Sequence, residues 1–338
     1  MNIIYNIKVL IYRLLVQPRT KRKQKQKLIN DTIGYDFQRL MSYCFTYNHG
    51  TDNLLADLRM KTHFIEKGLT MPETHPCFGI MRLRQIANLV TELGSEYANK
   101  HEMQYVSKLM NEYITFHRKA NIELPKEHME CIKKIQDIIG KTTDTFTVQQ
   151  RHYQHDEYFN IANGSFTQIA HSRHSGRNYL STPISKSILL EVAEIANTAP
   201  SACNRQPCRM IVIDNKNLMK EIFALNVGCR GFGHLAPCLI LVTSDLACRD
   251  NITERHQVGV DAGFFGMNLL YALHERQIGA CILNWDNLKE PDNKLRSLVP
   301  AIKPSETVLY FITCGYMPAS FKIPLGLKKP IDETIYFA

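Results

Sequence analysis

The sequence predicts a mostly helical N-terminal region followed by a domain in which helices and strands alternate. Before about residue 150, apolar residues recur at three- and four-residue spacing, β-branched runs are few, and prolines such as Pro72, Pro76 and Pro125 separate the segments. After about residue 160, apolar runs of strand length alternate with helical patterns. The length of 338 residues suits two domains, and 44% hydrophobic residues exclude disordered, collagen-like and disulfide-scaffold classes.

The first 30 residues carry most of the excess positive charge. They contain eight lysines and arginines and no acidic residue. The other 308 residues therefore hold 33 of the 41 basic residues and all 32 acidic ones, so they are nearly neutral. Because the charge belongs to this tail, and no aromatic residues are interleaved with its lysines, no nucleic-acid-binding surface is predicted.

An amphipathic segment precedes the basic run of this tail. Apolar residues follow helical spacing over residues 1–16, Pro18 ends the segment, and basic residues crowd positions 19–27. The pattern predicts peripheral contact of residues 1–27 with an anionic membrane surface. The alternative is a helix packed on the protein's own body, followed by a solvated linker.

The expected location is the cytoplasm, either in solution or on the inner face of the membrane. No apolar run approaches the length of a transmembrane helix, and Lys8 and Arg13 interrupt the apolar stretch that a signal peptide would need. The ten cysteines are scattered without a C-x-x-C pair or a zinc-ligand spacing. They therefore predict reduced, buried thiols and no metal site.

The organisation that we expect has three parts: a tail at 1–34, a helical region at 35–155 and a domain at 160–338. In the helical region, the spacing of apolar residues predicts helices over residues 86–93, 105–113 and 128–139. The polar, threonine-rich residues 141–154 are predicted to be a linker.

The C-terminal domain has four predicted strands, at residues 210–213, 238–243, 280–283 and 308–314. Its predicted helices cover residues 188–196, 218–225, 258–276 and 288–299. The segment 258–276 is apolar over most of its circumference, which predicts a central buried helix. These patterns leave the direction of the strands open.

Glycine motifs of nucleotide-binding folds are absent from the sequence. The nearest cluster, Gly228-Cys-Arg-Gly-Phe-Gly233, has neither the spacing nor the strand–helix context of a G-x-G-x-x-G or P-loop motif. Classical dinucleotide-binding and P-loop folds are therefore disfavoured.

One candidate anion-binding segment is Ser172-Arg-His-Ser-Gly-Arg-Asn-Tyr179. Alternate side chains of an extended segment point to the same side, so Arg173, Ser175 and Arg177 would converge. Two guanidinium groups and a hydroxyl suit a phosphate. A solvated loop is the alternative.

A second candidate segment, Ala199-Pro-Ser-Ala-Cys-Asn-Arg-Gln-Pro207, connects a predicted helix to a predicted strand. Pro200 would end the helix, and the side chains of Ser201 and Asn204 can bond either nearby backbone or a ligand. The ordinary alternative is a helix–strand connection made of turn residues.

With these two segments in order, the sequence resembles the nitroreductase family of FMN-dependent oxidoreductases. Arg173-His-Ser-Gly-Arg-Asn-Tyr179 resembles the opening motif, and Ala199–Pro207 resembles A-P-S-x-x-N-x-Q-P-W, with Cys208 in place of tryptophan. Two later stretches resemble the family's central helix with its following turn and its closing signature: Asp261-Ala-Gly-Phe…Ile278-Gly-Ala-Cys281 and Gly315-Tyr316…Lys328-Lys-Pro-Ile-Asp-Glu333. The resemblance covers residues 165–338.

The resemblance implies an α+β fold, with a mixed, mainly antiparallel sheet flanked by helices. It also implies a homodimer with FMN at the interface and NAD(P)H as electron donor. The implied roles in FMN binding begin with Arg173, His174 and Ser175 at the phosphate and ribityl end, and with Arg177 at the N1/O2 edge of the ring.

The remaining implied roles come from three other stretches. Pro200, Ser201 and Asn204 would come from the partner subunit, and Leu283, Asn284 and Trp285 would lie near flavin N5. Lys328 and Lys329 replace an arginine at the phosphate, without its bidentate fork. Trp285 is equally well explained as a core aromatic residue.

The sequence departs from the resemblance before the strand at 238. No clear match exists there for the lysine and asparagine that many family members place against the flavin pyrimidine, and Gly228–His234 occupies that stretch. The resemblance therefore leaves cofactor affinity and the identity of the acceptor open.

A second, loose resemblance concerns His63-Phe-Ile-Glu-Lys-Gly-Leu69 and Pro76-Cys-Phe-Gly79. They are similar to stretches of nitroreductase-like proteins encoded in bacterial surface-polysaccharide gene clusters. The alternative for the first stretch is a helix that ends at Gly68.

The resulting hypotheses begin with an FMN-dependent oxidoreductase that passes hydride from NAD(P)H to an unidentified acceptor by ping-pong kinetics. The alternatives are a flavin-binding accessory protein of surface-polysaccharide biosynthesis and an FMN-dependent dehydrogenase or oxidase.

Overall fold

The computed structural model describes residues 21–31, 33–34, 51–140, 150–160, 164–248, 252–285 and 288–338. Residues 1–53 and 249–256 form a unit separate from the rest of the chain. In this unit, residues 21–31 and 33–34 are helical, and Ile252–Glu254 is a single short turn of 3₁₀-helix. Most of the proposed membrane-contacting segment, residues 1–20, lies outside the described residues. Within them, no helix is both long enough and apolar enough to cross a bilayer.

Four helices build the predicted helical region: α1 (Thr51–Leu69), α2 (Ile80–Leu93), α3 (His101–Lys119) and α4 (Lys126–Ile139). The predicted helices at 86–93, 105–113 and 128–139 are confirmed and extend further at their N-terminal ends. Their apolar faces form a separate core around Leu58, Ile86, Leu109 and Ile135, which are all fully buried. The three- and four-residue spacing places these side chains on one face of each helix.

The prediction of a linker over residues 141–154 is wrong for its last five residues. Gln150–Gln154 forms strand β1, which pairs antiparallel with the C-terminal strand β6 (Ser320–Pro324). The sequence of β1, Gln-Arg-His-Tyr-Gln, lacks an apolar run. Among residues 151–154, Tyr153 alone is buried, and it packs against Phe321 and Tyr158. Its pairing partner lies about 170 residues away in the chain.

Two short helices, α5 (His155–Asn160) and α6 (Phe166–Ser172), lead into the C-terminal domain. Its longer helices are α7 (Lys186–Asn197), α8 (Lys216–Ala224), α9 (Gln257–Glu275) and α10 (Lys289–Leu298). The strands β2 (Cys208–Ile213), β3 (Cys238–Asp245), β4 (Ile278–Asn284) and β5 (Glu306–Tyr316) confirm the four predicted strands.

The sheet has the order β2-β3-β5-β4, and every neighbouring pair is antiparallel. The one parallel pairing is a bridge between Ser175 and Ala280 at the β4 edge of the sheet as described. The fold is therefore α+β, with the mixed, mainly antiparallel sheet that the resemblance implied.

Successive residues of β3 face opposite sides of the sheet and enter two different cores. Leu239 and Leu241 pack with α8 and α10 on one face, whereas Ile240 and Val242 pack with α7 and α9 on the other. This division matters for function because the candidate residues lie on both sides of it.

The apolar sequence of α9 predicted a central buried helix, but one face of this helix is exposed. Its inner face, which includes Ala262, Phe265 and Leu269, packs on the sheet, whereas Val260 and Phe264 are 42% and 47% exposed. The outer face of α9 is thus apolar and uncovered in the single chain. An apolar face of this kind is typical of a surface that another molecule covers.

The hydroxyl of Tyr179 joins the segment 172–179 to the sheet. It donates to the carbonyl of Gly176 at 2.6 Å and lies 3.0 Å from the Thr313 hydroxyl. We expect Tyr179→Phe to lower the free energy of unfolding by about 1–3 kcal/mol, because these buried polar groups lose a partner. Urea denaturation measures the change. The matched control is Tyr336→Phe at a fully accessible tyrosine, which should change little; equal effects of the two variants would contradict the prediction.

Candidate functional site

The segment after α6 runs along the edge of β4 and displays the first group of candidate residues. Ser175 makes a parallel bridge to Ala280, and the backbone N–H of Gly176 donates to the Ala280 carbonyl at 3.0 Å. This extended backbone gives Arg173, Ser175 and Arg177 the alternation that the sequence predicted.

Arg173 and Arg177 form no ion pair with a carboxylate in the part of the chain that the structure describes. The Nε atoms of both are buried and find no hydrogen-bond partner among the described residues. The side chain of Arg177 reaches only the carbonyl of Ser175, at 3.3 Å, and the residue is 9% exposed. A buried guanidinium that lacks a carboxylate is costly, and a bound anion would remove that cost. The pair is therefore chemically suited to an anionic ligand.

His174 lies between these arginines and is held in a fixed orientation. Its Nδ1 donates to the carbonyl of Ser172 at 2.7 Å, and its backbone N–H donates to the Tyr158 hydroxyl at 3.0 Å. Burial, followed by the charges of Arg173 and Lys328, lowers the pKa of His174. The neutral imidazole is thus favoured, so His174 does not add a positive charge to those of Arg173 and Arg177.

Lys328 belongs to the C-terminal segment that follows β6. Both Lys328 and Lys329 are exposed, and Lys328 is close enough to His174 to act on its pKa. The segment is tied to the helical region because the backbone N–H of Gly326 donates to Oε1 of Glu66 at 2.9 Å. The structure therefore brings Lys328 to the same group as Arg173 and His174.

Phe232 stands at the other end of this group. The guanidinium of Arg177 lies 5.7 Å from the centre of its ring, and Nζ of Lys67 lies 5.4 Å from the same centre. Nζ of Lys67 also donates to the carbonyl of Gly228 at 3.0 Å. Lys67 is on α1, so the helical region contributes a cation to the site.

The end of β4 meets the loop that carries Gly228. The side-chain N–H of Asn226 donates to the Asn284 carbonyl at 2.8 Å, and its Oδ1 accepts from the Gly228 N–H at 2.8 Å. The side chain of Leu283 is buried in the core next to this loop, and that of Asn284 is exposed. Asn226 thus fixes the loop against Leu283 and Asn284.

Trp285 packs as a core residue. It is 4% exposed, and its ring stacks on Phe311 with centres 4.8 Å apart. Its Nε1 is buried and unpaired among the described residues. Of the two explanations that the sequence left open, the single chain supports core packing.

The loop with Pro200, Ser201 and Asn204 lies apart from this group, on the other face of the sheet. Ala199 and Cys208 at its two ends pack against the core that α7 and α9 share. Within the loop, Oγ of Ser201 accepts from the Gln206 backbone N–H at 2.9 Å. Cys203, Asn204 and Gln206 all have positive φ angles, between 47° and 55°. This strained backbone is anchored to α9, because the N–H of Ala202 donates to Asp261 at 3.2 Å.

The structure thus gathers seven of the twelve predicted site residues into one group. Pro200, Ser201 and Asn204 lie apart in their loop, Trp285 packs in the core, and Lys329 is exposed beside Lys328. The first group consists of Arg173, His174, Ser175, Arg177, Leu283, Asn284 and Lys328. Sequence reasoning missed Lys67, Asn226 and Phe232. A signal for Lys67 existed in the stretch His63–Leu69, but nothing in the sequence connects it with Gly228, which is 161 residues away.

Comparison with known proteins gives three findings. The model of the nitroreductase family matches residues 170–229. The chain is 29% identical over 140 residues to the putative NAD(P)H nitroreductase YdgI of Bacillus subtilis. That match covers 41% of this chain and 65% of YdgI, so it spans about two thirds of its relative.

Two solved structures are also similar. The nitroreductase family protein of Streptococcus pneumoniae is 21% identical, with a TM-score of 0.45, covering 52% of this chain and 100% of that one. A putative nitroreductase of Desulfovibrio desulfuricans in complex with FMN is 26% identical, with a TM-score of 0.42, covering 52% and 97%.

Proposed function

We propose that the chain, whose residues 170–229 match the model of the nitroreductase family, is an FMN-dependent oxidoreductase with NAD(P)H as the electron donor. The observation that carries the proposal is that the Nε atoms of Arg173 and Arg177, beside the β4 edge, are buried without a hydrogen-bond partner among the described residues. The family resemblance and an anion-binding group on the same segment point to the same ligand.

The residues present suit FMN, an elongated ligand with a phosphate at one end and a ring at the other. Arg173, Ser175 and Lys328 would hold the phosphate as charged and hydroxyl donors. Arg177 would face the N1/O2 edge of the ring, next to the end of β4 at Leu283 and Asn284. Arg173 and Arg177 lie on one continuous segment, so the two ends of one ligand could be bound by neighbouring parts of the same stretch.

When bound, FMN supplies hydride transfer at N5, from NAD(P)H in one half-reaction and to an acceptor in the next. Arg177 would stabilise the negative charge that builds on the N1/O2 edge during reduction. The neutral His174 adds no charge at the phosphate end, so Arg173 and Lys328 remain the cations that bind there.

A homodimer is part of the proposal, because the candidate residues lie on two faces of the sheet. A second copy would bring its Pro200, Ser201 and Asn204 to the flavin. The uncovered apolar face of α9, with Val260 and Phe264, is a surface that such a copy would bury. The exposed C-terminal residues Tyr336 and Phe337, 89% and 84% accessible, offer further apolar surface.

Anaerobic mixing of the FMN-loaded protein with NADH or NADPH tests the activity. Bleaching of the flavin's visible absorbance, followed by its recovery on adding a quinone, is the expected result. A protein that binds FMN but is bleached by neither donor would favour the accessory role in surface-polysaccharide biosynthesis. Bleaching by a third compound, with reoxidation by O₂, would favour the dehydrogenase or oxidase.

Asp261 supports the loop that a second copy would use. Its Oδ1 accepts from the Ala202 N–H at 3.2 Å and from the Gln257 side chain at 2.7 Å, and the residue is buried. We expect Asp261→Ala to weaken FMN binding about tenfold, since the loop loses a hydrogen bond to a charged group. Fluorescence titration with FMN measures it, with the exposed Asp214→Ala as control. Equal affinities of the two variants would refute this role for Asp261.

The basic tail favours a peripheral membrane contact for the same enzyme. Residues 21–27 form an exposed helix with five lysines and arginines. Co-sedimentation with vesicles of phosphatidylglycerol tests this contact in the full chain. Changing Lys21, Arg22 and Lys23 to glutamine should reduce binding, whereas changing the exposed Lys133 and Lys134 should not. Identical sedimentation of both variants would refute it.

A further inference from the structure

Lys67 is a half-buried lysine of the helical region, and the resemblance to the family assigns no role to it. We propose that Lys67 binds the N1/O2 edge of the flavin together with Arg177, so that the N-terminal helical region completes the cofactor site. The inference rests on the proposed function, because it concerns the same bound FMN. Lys67 lies outside residues 165–338, which resemble the FMN-binding domain of the family, and within the loosely similar stretch His63–Leu69.

The geometry places Lys67 next to Arg177. Nζ of Lys67 and the guanidinium of Arg177 lie 5.4 Å and 5.7 Å from the centre of the same ring, that of Phe232. Nζ uses one hydrogen bond, to the carbonyl of Gly228 at 3.0 Å. An ammonium group has three donors, so others can reach a ligand.

The charges around these two cations are unbalanced. The nearest carboxylate on the same helix, Glu66, is already engaged: its oxygens accept from the Gly326 N–H at 2.9 Å and face the His63 ring at 3.2 Å. Burial, followed by the charge of Arg177, lowers the pKa of Lys67. An anion placed between the two cations would relieve this repulsion, and the flavin edge becomes anionic on reduction.

A rigid turn fixes the position of Lys67. Gly68 lets the ring of Phe78 approach so closely that a Cβ on residue 68 would lie 2.1 Å from Cε2 of Phe78. The turn with Phe78 is itself held, because the Tyr113 hydroxyl donates to the Phe78 carbonyl at 2.6 Å and His117 accepts from the Cys77 N–H at 2.9 Å. The two sequence stretches that the resemblance to polysaccharide-cluster proteins singled out therefore pack together and orient Lys67.

This position also accounts for the departure from the family pattern. The stretch before β3 lacks the lysine and asparagine expected against the flavin pyrimidine. In this stretch, the carbonyl of Gly228 and the ring of Phe232 instead contact Nζ of Lys67 from α1. The cation is thus supplied by the helical region and held against the loop that replaces the usual residues.

The midpoint potential of bound FMN tests the proposal, measured by dye-coupled reduction of the full chain. Lys67→Gln should weaken the binding of reduced FMN about tenfold relative to oxidised FMN, a fall of about 30 mV for a two-electron couple. Lys67→Arg, which keeps the charge, should restore the potential. The control is Lys61→Gln on the same helix, whose ion pair with Asp57 (3.1 Å) lies outside the site.

The outcomes separate this inference from the proposed function. If the wild-type protein binds FMN and Lys67→Gln has the wild-type potential, the role of Lys67 is wrong and the proposed function stands. If Lys67→Gln keeps the potential but Lys67→Met loses it, the donated hydrogen bond matters rather than the charge, and the proposal fails. If the wild-type protein binds no FMN, both ideas fail.

A measurement on the wild-type chain covers the case in which the variants do not fold. Bound FMN should slow acetylation of Lys67 by acetic anhydride about tenfold, because the ligand shields a partly exposed amine, and should leave Lys61 unchanged. Equal protection of both lysines, or of neither, would overturn the proposal.

Discussion

Replacing Arg177 with glutamine should weaken FMN binding by about 10- to 100-fold, the loss expected for a charge-assisted hydrogen bond of about 1.5–3 kcal/mol. Arg177 is 9% exposed, and its Nε has no partner among the described residues. No carboxylate in the described part of the chain would lose an ion pair, so the loss would fall on the ligand.

The stability of the FMN-free protein distinguishes this role from a structural one. Arg177 and Lys67 repel each other near Phe232, and the charge of Arg177 lowers the pKa of Lys67. Removing the guanidinium should therefore leave the FMN-free protein as stable as the wild type, or more stable. A group that only held the fold together would show the opposite result.

Fluorescence titration with FMN and urea denaturation without it measure the two effects. The matched control is Arg276→Gln, which removes a surface arginine paired with Glu191 at 2.9 Å and with Glu275 at 3.0 Å. It should leave FMN affinity unchanged. If Arg177→Gln binds FMN as the wild type does, the assignment of Arg177 to the flavin is wrong.

The sequence predicted those parts of the fold whose signal is local. The strands β2 to β5 are apolar runs, and α9 is a long apolar segment. The local sequence is therefore enough to predict where these elements lie in the chain. Strand β1 escaped prediction because its residues are mostly polar and its pairing with β6 exists only in three dimensions. The exposed face of α9 was not predicted for a related reason. An apolar sequence does not show whether a helix face is covered by the same chain or left exposed.

The site shows the same limit. The alternation of Arg173, Ser175 and Arg177 is a local pattern, and the structure confirms the extended backbone that it requires. The role of Lys67 depends on Gly228, Phe232 and Arg177, which only the packing of α1 against the C-terminal domain brings together. Motif spacing can therefore point to a candidate anion-binding segment while missing a cation supplied from another region.

The loop at 199–207 shows where a resemblance and a single chain differ. Its polar groups bond one another, as when the Gln206 side chain donates to Oδ1 of Asn204 at 3.2 Å. This is the turn chemistry that the residues alone suggested. Contact of Pro200, Ser201 and Asn204 with a flavin requires a second subunit and stays a prediction.

Acidification should destabilise the FMN-free protein through His274, which packs near Ser172 and Arg173. Its Nε2 lies 2.8 Å from the Ser172 hydroxyl, and its ring contacts those of Tyr158 and Phe159. Burial, followed by the charges of Arg173 and His174, lowers the pKa of His274 to about 4 from an ordinary value of 6.5. The neutral imidazole is thus the form that the folded protein holds at neutral pH.

The direction of the effect follows from proton binding. Between pH 6.5 and about 4 the unfolded chain binds a proton at His274 that the folded chain does not, so the free energy of unfolding falls as the pH falls. The shift corresponds to a loss of about 3 kcal/mol over that interval. His174, whose pKa is also lowered, acts in the same direction. Above pH 6.5 the contribution of both groups is constant.

Urea denaturation of the wild type and of His274→Gln from pH 7 to pH 4.5 measures this contribution. Glutamine does not titrate, so the variant should be less stable at pH 7 because it loses packing with Tyr158, yet it should lose less stability on acidification. The two curves should therefore converge as the pH falls. The control is His171→Gln at an exposed histidine three residues before His174, whose curve should parallel that of the wild type. Parallel curves for His274→Gln would show that His274 is not the titrating group, and that the acid sensitivity arises elsewhere.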